Sequence, residues 1–167
     1  MPSMSESILN EFREEVPAVR RLLERVPNDK LTWKPHEKSR SLGELATHVA
    51  NIPMMADKIV NLDEFSPTPP APGAGNLTAE DIRNAFEKNQ ELAEKVLSTL
   101  TDQRGDQEWR FTFRGKEIFR KRRLAALRTN MLNHLYHHRG QLTVYLRLLD
   151  VPLPMVYGPT ADENPFM

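Results

Sequence analysis

The chain contains no cysteine. That single absence removes disulfides, thiolate ligands to a metal, cysteine redox chemistry and a protein-borne thiol nucleophile. Any metal must therefore be held by His, Asp or Glu, and any sulfur nucleophile must arrive as a separate molecule. Net charge is also missing. The 23 basic side chains are balanced by 23 acidic ones, so no overall field gathers a polyanion or holds the chain on an anionic membrane. Neither nucleic acid nor a membrane is an expected partner. No apolar run is long enough to span a bilayer, and residues 1–7 lead into a polar amphipathic segment rather than a secretory one. The expected location is cytoplasmic.

At 167 residues with an apolar fraction of 39%, there is material for one core and not for two, so residues 1–167 are expected to form one domain. Ile8, Phe12, Val16, Val19, Leu22, Leu23 and Val26 recur at helical spacing and predict a first helix over 5–26, with a bend at Pro17. Residues 27–40 read as a loop anchored by Trp33. Ser41 and Glu44 form a capping box for a second helix carrying Leu45, His48, Ile52, Met55 and Ile59. The prolines and glycines of 61–77 make an extended connector. Thr78 with Asp81 caps a third helix, whose buried face is expected to include Ile82, Phe86, Leu92, Val96 and Leu100. Trp109, Phe111 and Phe113 then alternate with polar residues, and with Ile118 and Phe119 beyond Gly115 they predict a small β-hairpin. A last helix is expected over 121–149. Four amphipathic helices with long connectors make an all-α four-helix bundle the economical architecture.

On a helical wheel of the last segment, Leu124, Leu127, Met131, Leu142, Tyr145 and Leu149 form one stripe, with His138 near its middle and His134 on its flank. Residues four apart stand one turn above each other, so these two imidazoles can reach one ion. His48, on the inner stripe of the second helix, is the candidate third ligand. His137 falls off the stripe. A lone core histidine is usually a hydrogen-bonded residue, but burying several imidazoles without partners is costly, and the trio together favours a metal. Gln141 and Asn130 lie near His134 on the wheel as candidates to orient a ligand or contact a bound group. Glu44 is already explained as a cap. The run Arg120-Lys121-Arg122-Arg123 opposes the helix dipole if it starts the last helix, and offers a patch for an anionic small molecule. A di-iron carboxylate site is disfavoured, since none of the three histidines has Glu three residues before it. The zincin pattern fails because Leu135, not Glu, follows His134.

Four stretches give the chain a resemblance to a known family: Trp33-Lys34-Pro35 with Lys38-Ser39; Leu42-Gly43-Glu44-Leu45-Ala46-Thr47-His48; Asn133-His134-Leu135-Tyr136-His137-His138-Arg139-Gly140-Gln141; and Tyr157-Gly158-Pro159-Thr160-Ala161-Asp162-Glu163. Over nearly its whole length the chain resembles the DinB/YfiT-like metal-binding four-helix bundles. The resemblance implies an up-down-down-up bundle, one divalent metal ion on His48, His134 and His138, and a homodimer; the softness of imidazole ligands makes zinc or nickel the expected metal. The resemblance leaves the reaction open, since such relatives include thiol-using transferases, a thiol-dependent isomerase and hydrolases. The open positions beside three His ligands favour a metal-dependent enzyme acting on a small molecule, and the lack of cysteine with the basic run at Arg120–Arg123 favours transfer of a low-molecular-weight thiol. A metal-dependent hydrolase and a non-catalytic metal-binding or interaction bundle are the alternatives. The aromatic hairpin face adds a second motive for dimerisation.

Overall fold

The computed structural model describes residues 3–68 and 77–166. Helix α1 (Met4–Glu24) starts at a capping box in which the Ser3 hydroxyl accepts from the Glu6 N–H and the Glu6 carboxylate accepts from the Ser3 N–H. It runs uninterrupted through Pro17 and buries Ile8, Phe12, Val19 and Leu22. Asp102 adds two further acceptors for its first turn, from the backbone N–H groups of Met4 and Ser5.

The second helix is not one helix. After α2 (Leu42–Asn51) the chain makes a 3-10 turn (Ile52–Met54) and resumes as α3 (Met55–Asn61). Pro53 explains the break, because it has no N–H to donate and its ring clashes with the carbonyl four residues earlier. Asn89 of α4 (Ala79–Ser98) meets the interrupted end, its amide donating to the Ala50 carbonyl and to Asn51 Oδ1. The capping boxes predicted at Ser41 and Thr78 are both present. Leu92, however, is exposed; Ala93 takes its place on the buried face with Ile82, Phe86 and Val96.

A four-residue helix α5 (Asp102–Gly105) leads into the sheet. The hairpin is β2 (Glu108–Phe113) and β3 (Lys116–Arg122), and a strand β1 (Glu64–Phe65) joins β2 in parallel, giving the order β1-β2-β3. The connector therefore contributes a strand; its residues 69–76 lie outside the described residues. The two-residue loop Arg114-Gly115 has φ of 49° and 76°, the left-handed pair that matches the twist of a tight hairpin. Trp109 is fully buried and its indole N–H donates to the Lys58 carbonyl. Phe111 and Phe119 stack with ring centroids 5.1 Å apart and pack against the bundle. The aromatic face is thus mostly covered by its own chain, which removes it as a motive for dimerisation.

The last helix starts two residues later than expected, at Arg123, because β3 extends to Arg122. It comprises α6 (Arg123–Leu127), a π-helical turn (Arg128–Leu132) and α7 (Asn133–Leu148). The helical segments α1, α2–α3, α4 and α6–α7 form a four-helix bundle around a core that includes Phe12, Leu22, Leu45, Phe86, Leu135 and Leu142. Among the described residues, no helix is long and apolar enough to cross a membrane.

Candidate metal centre

The π turn decides where the histidines lie. A π turn takes up more residues than an α turn, so it rotates every following side chain relative to an ideal wheel. Beyond it, the buried residues of α7 are Leu135, Arg139, Leu142 and Leu146. His134 and His138 stand beside this stripe, half-buried, rather than with His138 at its centre. Their spacing of one turn is unaffected.

His48, in the last turn of α2 and also half-buried, completes the group. One ligand nitrogen from each of His48, His134 and His138 lies within 4.8 Å of the others. The Nε2 atoms of His48 and His134 are 3.1 Å apart. Two nitrogens at 2.0–2.1 Å from a common zinc ion are separated by about 2.9–3.4 Å for cis-octahedral to tetrahedral geometry, so this pair already has the required spacing. The His138 ring lies 4.4 Å from the His48 ring and 4.7 Å from that of His134, centroid to centroid.

The outer nitrogens are provided for as well. His138 Nδ1 is 2.7 Å from Gln141 Oε1. A carbonyl oxygen only accepts, so this contact places the proton on Nδ1 and leaves the Nε2 lone pair for a ligand bond. Burial pushes the His48 imidazole down to about 3, helped by the positive charge of Arg40 and by the two neighbouring histidines. Burial also lowers His134, against the opposing effect of a hydrogen bond to the Asn130 backbone. The same cause lowers His138, opposed by its bond to Gln141. All three are therefore neutral near pH 7, the protonation state that ligation needs.

The remaining sequence candidates fall elsewhere. His137 is exposed and touches the cluster only through the edge of its ring against His138. His36 sits in the exposed loop, where Nδ1 accepts from the Lys38 N–H. Glu44 is a cap, its carboxylate accepting from the Ser41 N–H at 2.6 Å, with Lys34 4.0 Å away. The Asn130 side chain accepts from the Thr129 hydroxyl, so it is the Asn130 backbone and not its amide that acts on the site.

The basic run is not an open patch: Arg120 and Lys121 lie on β3, and only Arg122, as N-cap, and Arg123, as first residue, stand at the start of α6. Arg120 pairs with Glu108 and Glu117, Lys121 lies over the Phe119 ring, and Arg122 pairs with Asp106. Arg123 is buried, donating to the Ile59 and Leu62 carbonyls and to Asp63.

Two features had escaped the sequence. The first is a cleft of about 240 Å³ beside the histidines, lined by Ser39, Arg40, Leu45, His138, Gln141 and Tyr145. Arg40 gave no signal because it lies in a loop of irregular period; only the Tyr145 hydroxyl, 105 positions away, ties it to α7. The second is a buried ion pair between Glu15 and Arg139, with the Tyr157 hydroxyl donating to the same carboxylate at 2.8 Å. On an ideal wheel Arg139 falls beside the apolar stripe, and only the π turn brings it in, so the sequence carried no signature of the pair.

Comparison with known proteins finds bacterial relatives of the chain. The Bacillus subtilis proteins YrdA and YjoA, both described as uncharacterised, are each 26% identical to the chain, YrdA over 156 residues and YjoA over 143. Those alignments cover 93% and 86% of this chain, and 89% of each relative. The crystal structure of the DinB-like YjoA superposes with a TM-score of 0.68 at 23% identity, covering 96% of this chain and 99% of that one. A DinB-like protein from Bacillus cereus gives a TM-score of 0.68 at 24% identity, covering 91% and 97%. At such identities the superpositions speak for the fold alone. The family description that matches the sequence spans residues 1–164, and on that match the chain belongs to the DinB family.

Proposed function

We propose that the protein is a metal-dependent enzyme acting on a small molecule, with one divalent ion held by His48, His134 and His138. The observation that carries this reading is the convergence of three neutral imidazoles on one point, with the His48 and His134 nitrogens 3.1 Å apart and the outer nitrogen of His138 engaged by Gln141. Imidazole ligands suit zinc or nickel. Bound by three neutral ligands, such an ion lowers the pKa of a coordinated water or thiol toward neutrality.

The chain's own contributions are positional. Gln141 fixes the tautomer and ring plane of His138, its Oε1 2.7 Å from the His138 Nδ1. Leu45 and Tyr145 wall the adjoining cleft, which opens to His138 and is of a size for a small ligand. Because the chain has no cysteine, a sulfur nucleophile would enter that cleft from solution. We assign transfer of a low-molecular-weight thiol to an electrophile as the reaction, in a cytoplasmic protein.

The test is to incubate zinc- or nickel-loaded protein with a panel of electrophiles, with and without added thiols, and to quantify thioether adduct against hydrolysis product. Adduct formed faster than by His134→Ala protein supports the assignment. Hydrolysis product alone would make the protein a hydrolase. Neither product above the variant's rate would leave a metal-binding bundle without catalysis.

A further inference from the structure

The cleft beside the histidines contains a cation and no anion. Of its lining residues, Arg40 is positively charged and none of Ser39, Leu45, His138, Gln141 and Tyr145 is acidic. Among the described residues Arg40 forms no ion pair. Glu44, one turn into α2, has its carboxylate committed to the Ser41 N–H and faces Lys34.

The backbone that carries Arg40 is held in place. The Tyr145 hydroxyl donates to the Arg40 carbonyl at 3.3 Å, the Tyr145 ring stands edge-on to Trp33 with centroids 5.8 Å apart, and the Trp33 carbonyl accepts from the Leu42 N–H at 2.9 Å. Gly43 seals the same corner, its N–H donating to the Leu31 carbonyl at 2.8 Å; a Cβ there would stand 3.0 Å from that oxygen. With its backbone fixed, Arg40 has only its side-chain rotamers left to order when the guanidinium captures a ligand.

We propose that the cleft binds a small-molecule carboxylate, with Arg40 as its anchor and the other end of the molecule directed at the three histidines. The inference rests on the metal-centre reading, since a divalent ion beside a guanidinium leaves three positive charges along one wall that a bound anion offsets. Arginine presents a planar fork that matches a carboxylate in two parallel hydrogen bonds. The Ser39 hydroxyl stands at the same wall as a further donor. The cleft, of about 240 Å³, has room for a carboxylate on a chain of a few atoms.

The test uses two thiols of matched length, 3-mercaptopropionate and 3-mercaptopropan-1-ol, titrated into cobalt-loaded protein, with the visible ligand-field spectrum as the readout of binding. Wild type is expected to bind the carboxylate at least tenfold more tightly than the alcohol. Arg40→Ala should bring the two affinities together by weakening only the carboxylate, and Arg40→Lys should restore part of the difference. Equal affinities in wild type, or a preference that survives in Arg40→Ala, would overturn the proposal. If wild type takes up no cobalt, the metal reading fails instead. The anchor is then judged on metal-free protein by following the Arg40 Nε–H resonance and the same preference during titration with the two ligands. Arg40 is exposed and its fold contact is made by its backbone carbonyl, so Arg40→Ala should keep the wild-type circular dichroism and cobalt stoichiometry.

Discussion

Glu15→Ala should be among the most damaging single substitutions away from the metal centre. Glu15 on α1 and Arg139 on α7 are 7% and 3% exposed and paired, and the Tyr157 hydroxyl donates to the same carboxylate. Arg139 also lies under the Tyr157 ring, its guanidinium carbon 4.6 Å from the centroid. Removing the carboxylate strands the buried guanidinium, whereas the Tyr157 hydroxyl, on an exposed residue, can turn to water. Breaking a buried pair from one side costs about 3–5 kcal/mol, a large share of the roughly 5–15 kcal/mol that holds a domain folded. At about 2–4 °C per kcal/mol for a chain of this size, the thermal midpoint should drop by about 6–20 °C. Replacing both partners by methionine should recover most of the loss, because the destabilisation comes from the orphaned charge and not from the missing pair. Urea denaturation of metal-free wild type, Glu15→Met, Arg139→Met and the Glu15→Met/Arg139→Met double variant gives the cycle directly, with Glu15→Ala measured alongside. A cost below about 1 kcal/mol for Glu15→Ala, the range of a surface ion pair, would refute the reasoning. It would mean that solvent reaches Arg139 when its partner is gone.

Two further outcomes follow from the site. Gln141→Ala frees the His138 ring and removes the acceptor at Nδ1, so metal affinity should fall about 10–100-fold with the stoichiometry unchanged; competition with a chromophoric chelator measures it. The metal-free protein should lose stability as pH falls below 6.5. His48 titrates near 6.5 when unfolded and at about 3 when folded, so between those values the unfolded chain binds more protons and acid favours unfolding. The slope from this one group is at most about 1.4 kcal/mol per pH unit. Denaturation at pH 7 and pH 5.5, above the carboxylate range, should show a loss for wild type that is smaller in His48→Ala; identical losses would remove His48 as the cause.

What the sequence made legible was whatever depends on short-range period. The capping boxes at Ser41 and Thr78 and the one-turn spacing of His134 and His138 need only a few residues of correct phase, and all are present. Phase over a longer span was lost at the π turn of Arg128–Leu132, which no composition signal announces, and so Arg139 rather than His138 occupies the core stripe. Pro53 was visible in the sequence and its break in the second helix follows from its missing N–H. Strand β1, two residues long in a proline-rich connector, has no alternation to read. Arg40 belongs to the site through tertiary packing of a loop on Tyr145, a contact across 105 positions. The basic run misled because three of its acidic partners, Glu108, Asp106 and Asp63, come from other turns and strands of the folded chain, while Glu117 lies on the same strand three residues before Arg120.

The central claim is that His48, His134 and His138 together hold one ion, and metal stoichiometry tests it most directly. Untagged protein reconstituted with zinc and freed of excess should carry one ion per chain by elemental mass spectrometry. His48→Ala, His134→Ala and His138→Ala should each carry none after the same treatment. His137→Ala should match wild type, since that ring stands outside the group of converging nitrogens. Retention of zinc by His138→Ala together with its loss from His137→Ala, or a full complement in any of the three ligand variants, would contradict the assignment.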